Sequence, residues 1–116
     1  MISPGLATRV YLALGVTDMR KGYDGLYGMV LHQLAEDPLS GHLFVFCNRS
    51  RTRLKVLYWD GSGLWICSKR LERGRFSWPA AGEPGSKVRL DPAELSLLLN
   101  GIDLERTQRR EWWRKM

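Results

Sequence analysis

The tetrapeptide Asp60-Gly61-Ser62-Gly63 constrains the fold more than any other part of the chain. Residues of this kind adopt the positive φ angles that a tight hairpin requires. On both sides of it the sequence alternates. Before the turn, Leu54, Val56 and Tyr58 fall on one side and Arg53, Lys55 and Trp59 on the other. After it, Leu64, Ile66 and Ser68 oppose Trp65, Cys67 and Lys69. A period of two sustained along each arm is the pattern of a half-buried strand. Residues 53–59 and 64–70 are therefore predicted to form a β-hairpin. A hairpin alone is marginal in water, so it must be joined by more strands or covered by a helix.

The rest of the chain supplies both. Residues 42–47 are apolar on both faces and predict a central strand. Residues 10–14 predict a first strand and residues 87–90 a short last one. Between the first two strands, Thr17 or Asp18 is placed to cap a helix. Tyr23, Leu26, Tyr27, Val30, Leu31 and Leu34 then recur at helical spacing, predicting a helix over 19–35 that stops before Pro38. Asp91-Pro92 opens a second, short helix through 93–99, with Gly101 to close it. The expected fold is α+β. An antiparallel sheet of four to five strands, a meander with its hairpin at 60–63, is covered by one long helix, with a short C-terminal helix added. No βαβ alternation is expected. The helix should face the sheet through Tyr23, Leu26, Val30 and Leu34. The core should hold Leu12, Leu26, Val30, Leu34, Phe44, Phe46, Val56, Tyr58, Ile66 and Leu98. Residues 72–86 read as a Gly/Pro-rich loop. One globular domain is expected over 1–103, followed by a flexible basic tail over 104–116.

Composition narrows what such a domain does. The chain has 116 residues, 44% of them apolar, enough to build a core and to exclude disorder of the body. No apolar run approaches the ~20 residues of a membrane span. The first residues lack the basic start of an export signal, and Asp18 ends the apolar stretch early. A cytoplasmic location is expected, where Cys47 and Cys67 stay thiols.

The formal charge is +6, and thirteen of the eighteen basic residues are Arg. Residues 49–75 hold Arg49, Arg51, Arg53, Lys55, Lys69, Arg70, Arg73 and Arg75 against only Asp60 and Glu72. The tail adds Arg106, Arg109, Arg110, Arg114 and Lys115 against Glu111. The guanidinium fork suits phosphate, and concentrated rather than scattered cations point to an anionic partner, nucleic acid before membrane. Those eight cations of 49–75 form the candidate nucleic-acid surface, with Trp59 and Trp65 placed to stack on bases. The competing reading puts the tryptophans in the core and leaves the cations to solvate and protect a sheet edge.

Gly22, Gly25 and Gly28 make a side-chain-free stripe inside the predicted helix, although each glycine costs a helix about 1 kcal/mol. The stripe serves close packing on the sheet or a partner's surface. Trp112 and Trp113 are the other candidate partner contacts.

No catalytic constellation emerges. His32 and His42 lie on different elements and the two cysteines are twenty residues apart, so no metal site and no cofactor is expected. No G-x-S-x-G elbow or phosphate-binding glycine loop is present. Asp18, Asp60 and Asp91 are explained as cap or turn residues before they are explained as catalytic carboxylates.

The order and spacing of several motifs match a known family. They are Asp18-Met19-Arg20-Lys21-Gly22, Pro38-x-Ser40-Gly41-His42-Leu43-Phe44-Val45-Phe46, Asn48-Arg49, Leu54 to Trp65 around the turn, Lys69-Arg70-Leu71-Glu72-x-Gly74-x-Phe76 and Leu98-Leu99-x-Gly101-Ile102-Asp103. Over about residues 8–103 the chain strongly resembles the small accessory protein, often called TnpB, of the insertion-sequence-66 family of bacterial transposable elements. It departs at Cys47, where that family commonly carries Arg or another polar residue before Asn-Arg. The resemblance implies a helper in transposition, acting beside the element's separate transposase and its other accessory protein, with no catalytic residues to assign. Three activities fit these readings: a nucleic-acid-binding accessory subunit, an interaction module that docks on the transposase without binding DNA alone, and a small metal-independent ribonuclease.

Overall fold

In a computed structural model of the chain, residues 8–79 and 85–100 are described. Five strands and two helical segments follow one another: β1 Val10–Val16, helix α1 Tyr23–Gly28 continued by a π-helical turn Met29–Gln33, β2 Leu43–Cys47, β3 Arg53–Trp59, β4 Leu64–Arg70, β5 Lys87–Leu90 and helix α2 Pro92–Leu99. The strands form one sheet in the order β4-β3-β2-β1-β5.

The sheet is mixed rather than antiparallel. The hairpin is where the alternation puts it, with Trp59 opposite Leu64 and Arg53 opposite Arg70, and β2 pairs antiparallel with β3. However, β1 runs parallel to β2. The connection between them contains the helical segment, which returns the chain to the starting edge, and a parallel neighbour needs such a crossover. One βαβ unit is therefore present where none was expected. Strand periodicity reveals which residues share a face and carries no information on direction.

The long helix is also corrected. It spans eleven residues, Tyr23 to Gln33, not 19–35. Asp18 spends its carboxylate on a turn instead of a helix cap, accepting from the Arg20 amide at 2.9 Å and the Arg20 guanidinium at 2.7 Å. The helix starts after Gly22, with no side-chain cap. Toward its end the Leu34 amide reaches back to the Met29 carbonyl at 3.0 Å, one residue wider than an α-helical bond. Ala35, at φ 54°, then leaves the helix in the left-handed region where glycine is the usual residue. The cap of α2 is as expected: Asp91 accepts from the Glu94 amide at 2.8 Å and Glu94 returns a bond to the Asp91 amide.

Two cores result, one on each face of the sheet. Leu26, Met29, Val30 and Leu34 bury Tyr11, Ala13, Phe44, Phe46 and Leu57 on the α1 face. On the α2 face Leu95 and Leu98 close over Val10, Leu12, Leu43, Val45, Leu54 and Val56. Tyr23 is not among the buried residues; it is 52% exposed, while Tyr58 and Ile66 sit at the core margin. The loop after β4 adds Phe76, which is buried, and Trp78, whose indole donates to the Ala13 carbonyl at 3.3 Å. Close packing needs a glycine at Gly85 (φ 82°), where a Cβ would stand 2.5 Å from the Gln33 carbonyl oxygen. No such demand acts on the stripe. A Cβ at Gly22 or Gly28 would meet nothing within 4 Å, and one at Gly25 only the Lys21 side chain. The stripe is not packed on the sheet. Among the described residues no helix is long and apolar enough to cross a membrane.

Candidate nucleic-acid interface

The candidate surface gathers at the end of the sheet where β3 begins and β4 ends. No residue of α1 lines the cleft at this end; Met19, from the segment before the helix, does. Three loops meet here. Asn48 folds the loop between β2 and β3: its Oδ1 accepts from the Thr52 and Arg53 amides at 3.0 and 3.1 Å, and its Nδ2 donates to the Ser50 and Thr52 hydroxyls. The 71–76 loop crosses beside it, with the Leu71 amide on the Thr52 carbonyl and the Phe76 amide on the Arg51 carbonyl at 2.8 and 2.7 Å. The 16–21 segment lies against both strands and is tied to β3 by Lys55 Nζ, which donates to the Lys21 carbonyl at 2.9 Å.

The eight predicted cations do not form one continuous surface. Arg53, Lys55 and Arg70 stand on the α1 face, because Arg53 pairs with Arg70 and Lys55 with Ser68 across the hairpin. Lys69 pairs with Leu54 and stands on the opposite face, where its Nζ donates to the Leu99 carbonyl at 2.6 Å. Residues one apart on a strand point to opposite faces, so Lys69 and Arg70 cannot share one. Arg51 is withdrawn. Its backbone is left-handed (φ 60°), its guanidinium lies 5.5 Å from the Trp78 ring centre, and its Nη1 is buried without a hydrogen-bond partner. Arg49, Arg73 and Arg75 are exposed on the neighbouring loops. The aromatic half of the expected constellation divides likewise. Trp59 is half-buried on the α1 face; Trp65 is 50% exposed on the α2 face, its indole donating to Asp60 at 2.7 Å. Trp112 and Trp113 lie outside the described residues.

The α1-face cations border a cleft of about 390 Å³ lined by Met19, Arg53, Leu54, Lys55, Ser68, Lys69 and Arg70. A second cleft of about 610 Å³ runs between Val16–Met19 and residues 48–53, sharing Met19 and Arg53 with the first. Its one carboxylate, Asp18, is pulled down to about 2 by its bonds from Arg20. Sequence reasoning missed Met19, Ser68 and the organising role of Asn48; an Asn before a polar loop is a turn signal that points to the last of these. On the opposite face an apolar cleft of about 450 Å³ opens between α2 and the β3–β4 strands, lined mainly by Leu43, Leu54, Val56, Cys67, Leu95 and Leu99.

Burial or local bonds hold His42, Cys47 and Asp60 in structural settings. His42 Nδ1 accepts from the Arg9 amide at 2.9 Å, and burial lowers its pKa. Burial raises the Cys47 thiol. Asp60 receives the Ser62 and Gly63 amides, each at 2.9 Å, as well as the Trp65 indole, and is held far below the usual carboxylate range. Among the described residues no three His, Cys, Asp or Glu side chains come together as a metal site.

No solved structure matches the chain. Two proteins of Sinorhizobium fredii are similar over almost their whole lengths, each described as uncharacterized. The protein y4hO is 46% identical over 98% of this chain and 96% of its own length; y4jC is 37% identical over 95% and 92%. A family model described as "IS66 Orf2 like protein" matches residues 8–109. The match covers most of the chain and agrees with the motif string of its sequence: the chain belongs to the IS66 Orf2-like family, and so to the accessory proteins associated with transposition of an insertion sequence.

Proposed function

We propose that the protein serves transposition as a non-catalytic accessory subunit that binds nucleic acid through the cationic end of its sheet. Arg49, Arg53, Lys55, Arg70, Arg73 and Arg75 supply the phosphate contacts. The observation that carries the reading is the β3–β4 register, which sets Arg53 and Arg70 side by side at a cleft that no α1 residue lines. Contacts from such cations to a charged backbone position the nucleic acid and carry no sequence information. Neither α1 nor α2 contains an Arg or Lys, so among the described residues no helix offers cationic readout of the major groove, and sequence preference should be weak.

A second reading has its own support. The apolar cleft beneath α2, the exposed Trp65 and the unfilled glycine stripe suit a protein partner, with the transposase as the occupant and nucleic acid bound only by the complex. An electrophoretic shift assay with the element's terminal DNA separates the two. The first reading expects the purified protein to shift that DNA alone. A shift only after the transposase is added would replace it with the second.

A further inference from the structure

Resting on the nucleic-acid reading, we propose that the cleft bordered by Arg53, Lys55, Ser68 and Arg70 is a seat for the phosphodiester of a single nucleic-acid strand, and that this strand continues past Arg53 into the cleft beside residues 48–53.

The argument starts from the ladder. Arg53 lies directly opposite Arg70, and Lys55 directly opposite Ser68. Directly opposed residues have Cβ atoms only about 5 Å apart, and like charges so placed destabilise a sheet. Glu72 relieves one side of this pair, taking the Nε of Arg70 at 3.3 Å on an exposed surface. An anion seated between the two guanidiniums relieves the rest. The lining carries two guanidiniums, two ammoniums and a hydroxyl with no carboxylate, and of the two ammoniums Lys69 is spent on the Leu99 carbonyl, which leaves Lys55. The ammonium is already aimed, because the Lys21 carbonyl fixes Lys55 Nζ at 2.9 Å and leaves its other hydrogens to the cleft. Forked donors around one point suit a phosphate oxygen pair.

The shape selects a single strand. The seat is a recess in a sheet face, walled by Met19 and the segment that leads into α1, and it joins the second cleft through Met19 and Arg53. Connected recesses with cations along them track one flexible backbone. In the second cleft the Asp18 charge is offset by Arg20, and the buried Thr17 hydroxyl oxygen, which has no hydrogen-bond partner, lies in the wall.

Fluorescence anisotropy with a labelled 20-nucleotide mixed-sequence DNA, single-stranded and as its duplex, tests the assignment. The wild type should bind the single strand several-fold more tightly than the duplex. Arg53→Ala and Arg70→Ala should each weaken single-strand binding about tenfold. Arg89→Ala, an exposed cation on β5 at the far edge of the sheet, should stay within about twofold. Arg53→Thr should raise the melting temperature of the free protein, because it removes the opposed charge, and single-stranded DNA should raise the melting temperature of the wild type more than that of the variant. Equal binding of single strand and duplex overturns the single-strand assignment. Wild-type affinity in both Arg variants overturns the seat while leaving nucleic-acid binding in place. Absence of binding to either DNA by the wild type overturns the underlying reading itself.

Discussion

One corner of the sheet, where β3 begins and β4 ends, shows two unlike surfaces back to back. On the α1 face it carries Arg53, Lys55, Ser68 and Arg70 around a polar recess. On the α2 face the intervening residues Leu54, Val56 and Cys67 line an apolar cleft. The two surfaces are separated by the thickness of one sheet and drawn from the same residues of sequence, 53–56 and 67–70. Strand alternation gives each its character, although Leu54, Ser68 and Lys69 border both clefts. The helices make the difference visible. Helix α1 is short and leaves its face bare here, so polar side chains are tolerated; α2 and the loop bearing Phe76 and Trp78 cover more of theirs, so apolar ones are required. A narrow strip of sequence thus holds stability on one side and candidate function on the other.

The sharpest contrast is between covered and bare parts of the α1 face. Phe44, fully buried and stacked on Tyr11 with ring centres 5.6 Å apart, represents the covered part. Phe44→Ala should lower stability by about 3–5 kcal/mol in urea denaturation, much of what a small domain has. Next in size is the pair of neighbours at the corner. Leu54→Ala, from a side chain 1% exposed, should lose about 2–5 kcal/mol, whereas Arg53→Ala should change stability by no more than about 0.5 kcal/mol. Similar losses for both would mean that the corner is not divided as described.

Smaller effects come from the ends of the elements that define the bare region. Ala35→Gly relieves a left-handed residue where the helix stops and should raise stability by about 1 kcal/mol. At the other end of the hairpin, Asp60 is held ionised by its turn, and Asp18 is held at about 2 by Arg20. Both pKa values are lowered on folding, so their contributions are complete above the ordinary carboxylate pKa of about 4 and are lost as the pH falls below it. Melting temperatures between pH 5 and pH 2 should fall, and Asp60→Asn should flatten the decline.

How much of this was legible in the sequence depends on the range of the interaction involved. The hairpin at 60–63, the alternation within each of β3 and β4 and the Asp91 cap follow from neighbours in sequence and stand in the structure. The expected sharing of one face by Trp59, Trp65 and Lys69 does not, because the register sets Trp65 opposite Tyr58 and Lys69 opposite Leu54. The parallel pairing of β1 with β2 does not follow, because direction is set by where the helical crossover returns the chain. The helix start was misplaced because Asp18 has two uses, a cap or a turn, and Arg20 decides for the turn. The candidate site was legible as a composition and not as a surface. Lys69 and Arg70 are adjacent in sequence and stand on opposite faces of the sheet, and Arg51, a cation in a polar loop, is turned by that loop toward Trp78. Met19 and Ser68 carry no charge and gave no signal of a place in the cleft.

The central claim is that the bare, charged side of the corner meets phosphates. A salt titration of binding to a single-stranded oligonucleotide, with the wild type beside Arg53→Ala/Arg70→Ala, tests it most directly. Log affinity should fall linearly with log salt at about −0.7 per phosphate contact, and the double variant should bind more weakly with a slope shallower by about one for each Arg removed. A wild-type slope near zero, or equal slopes and affinities for the two proteins, would contradict the account.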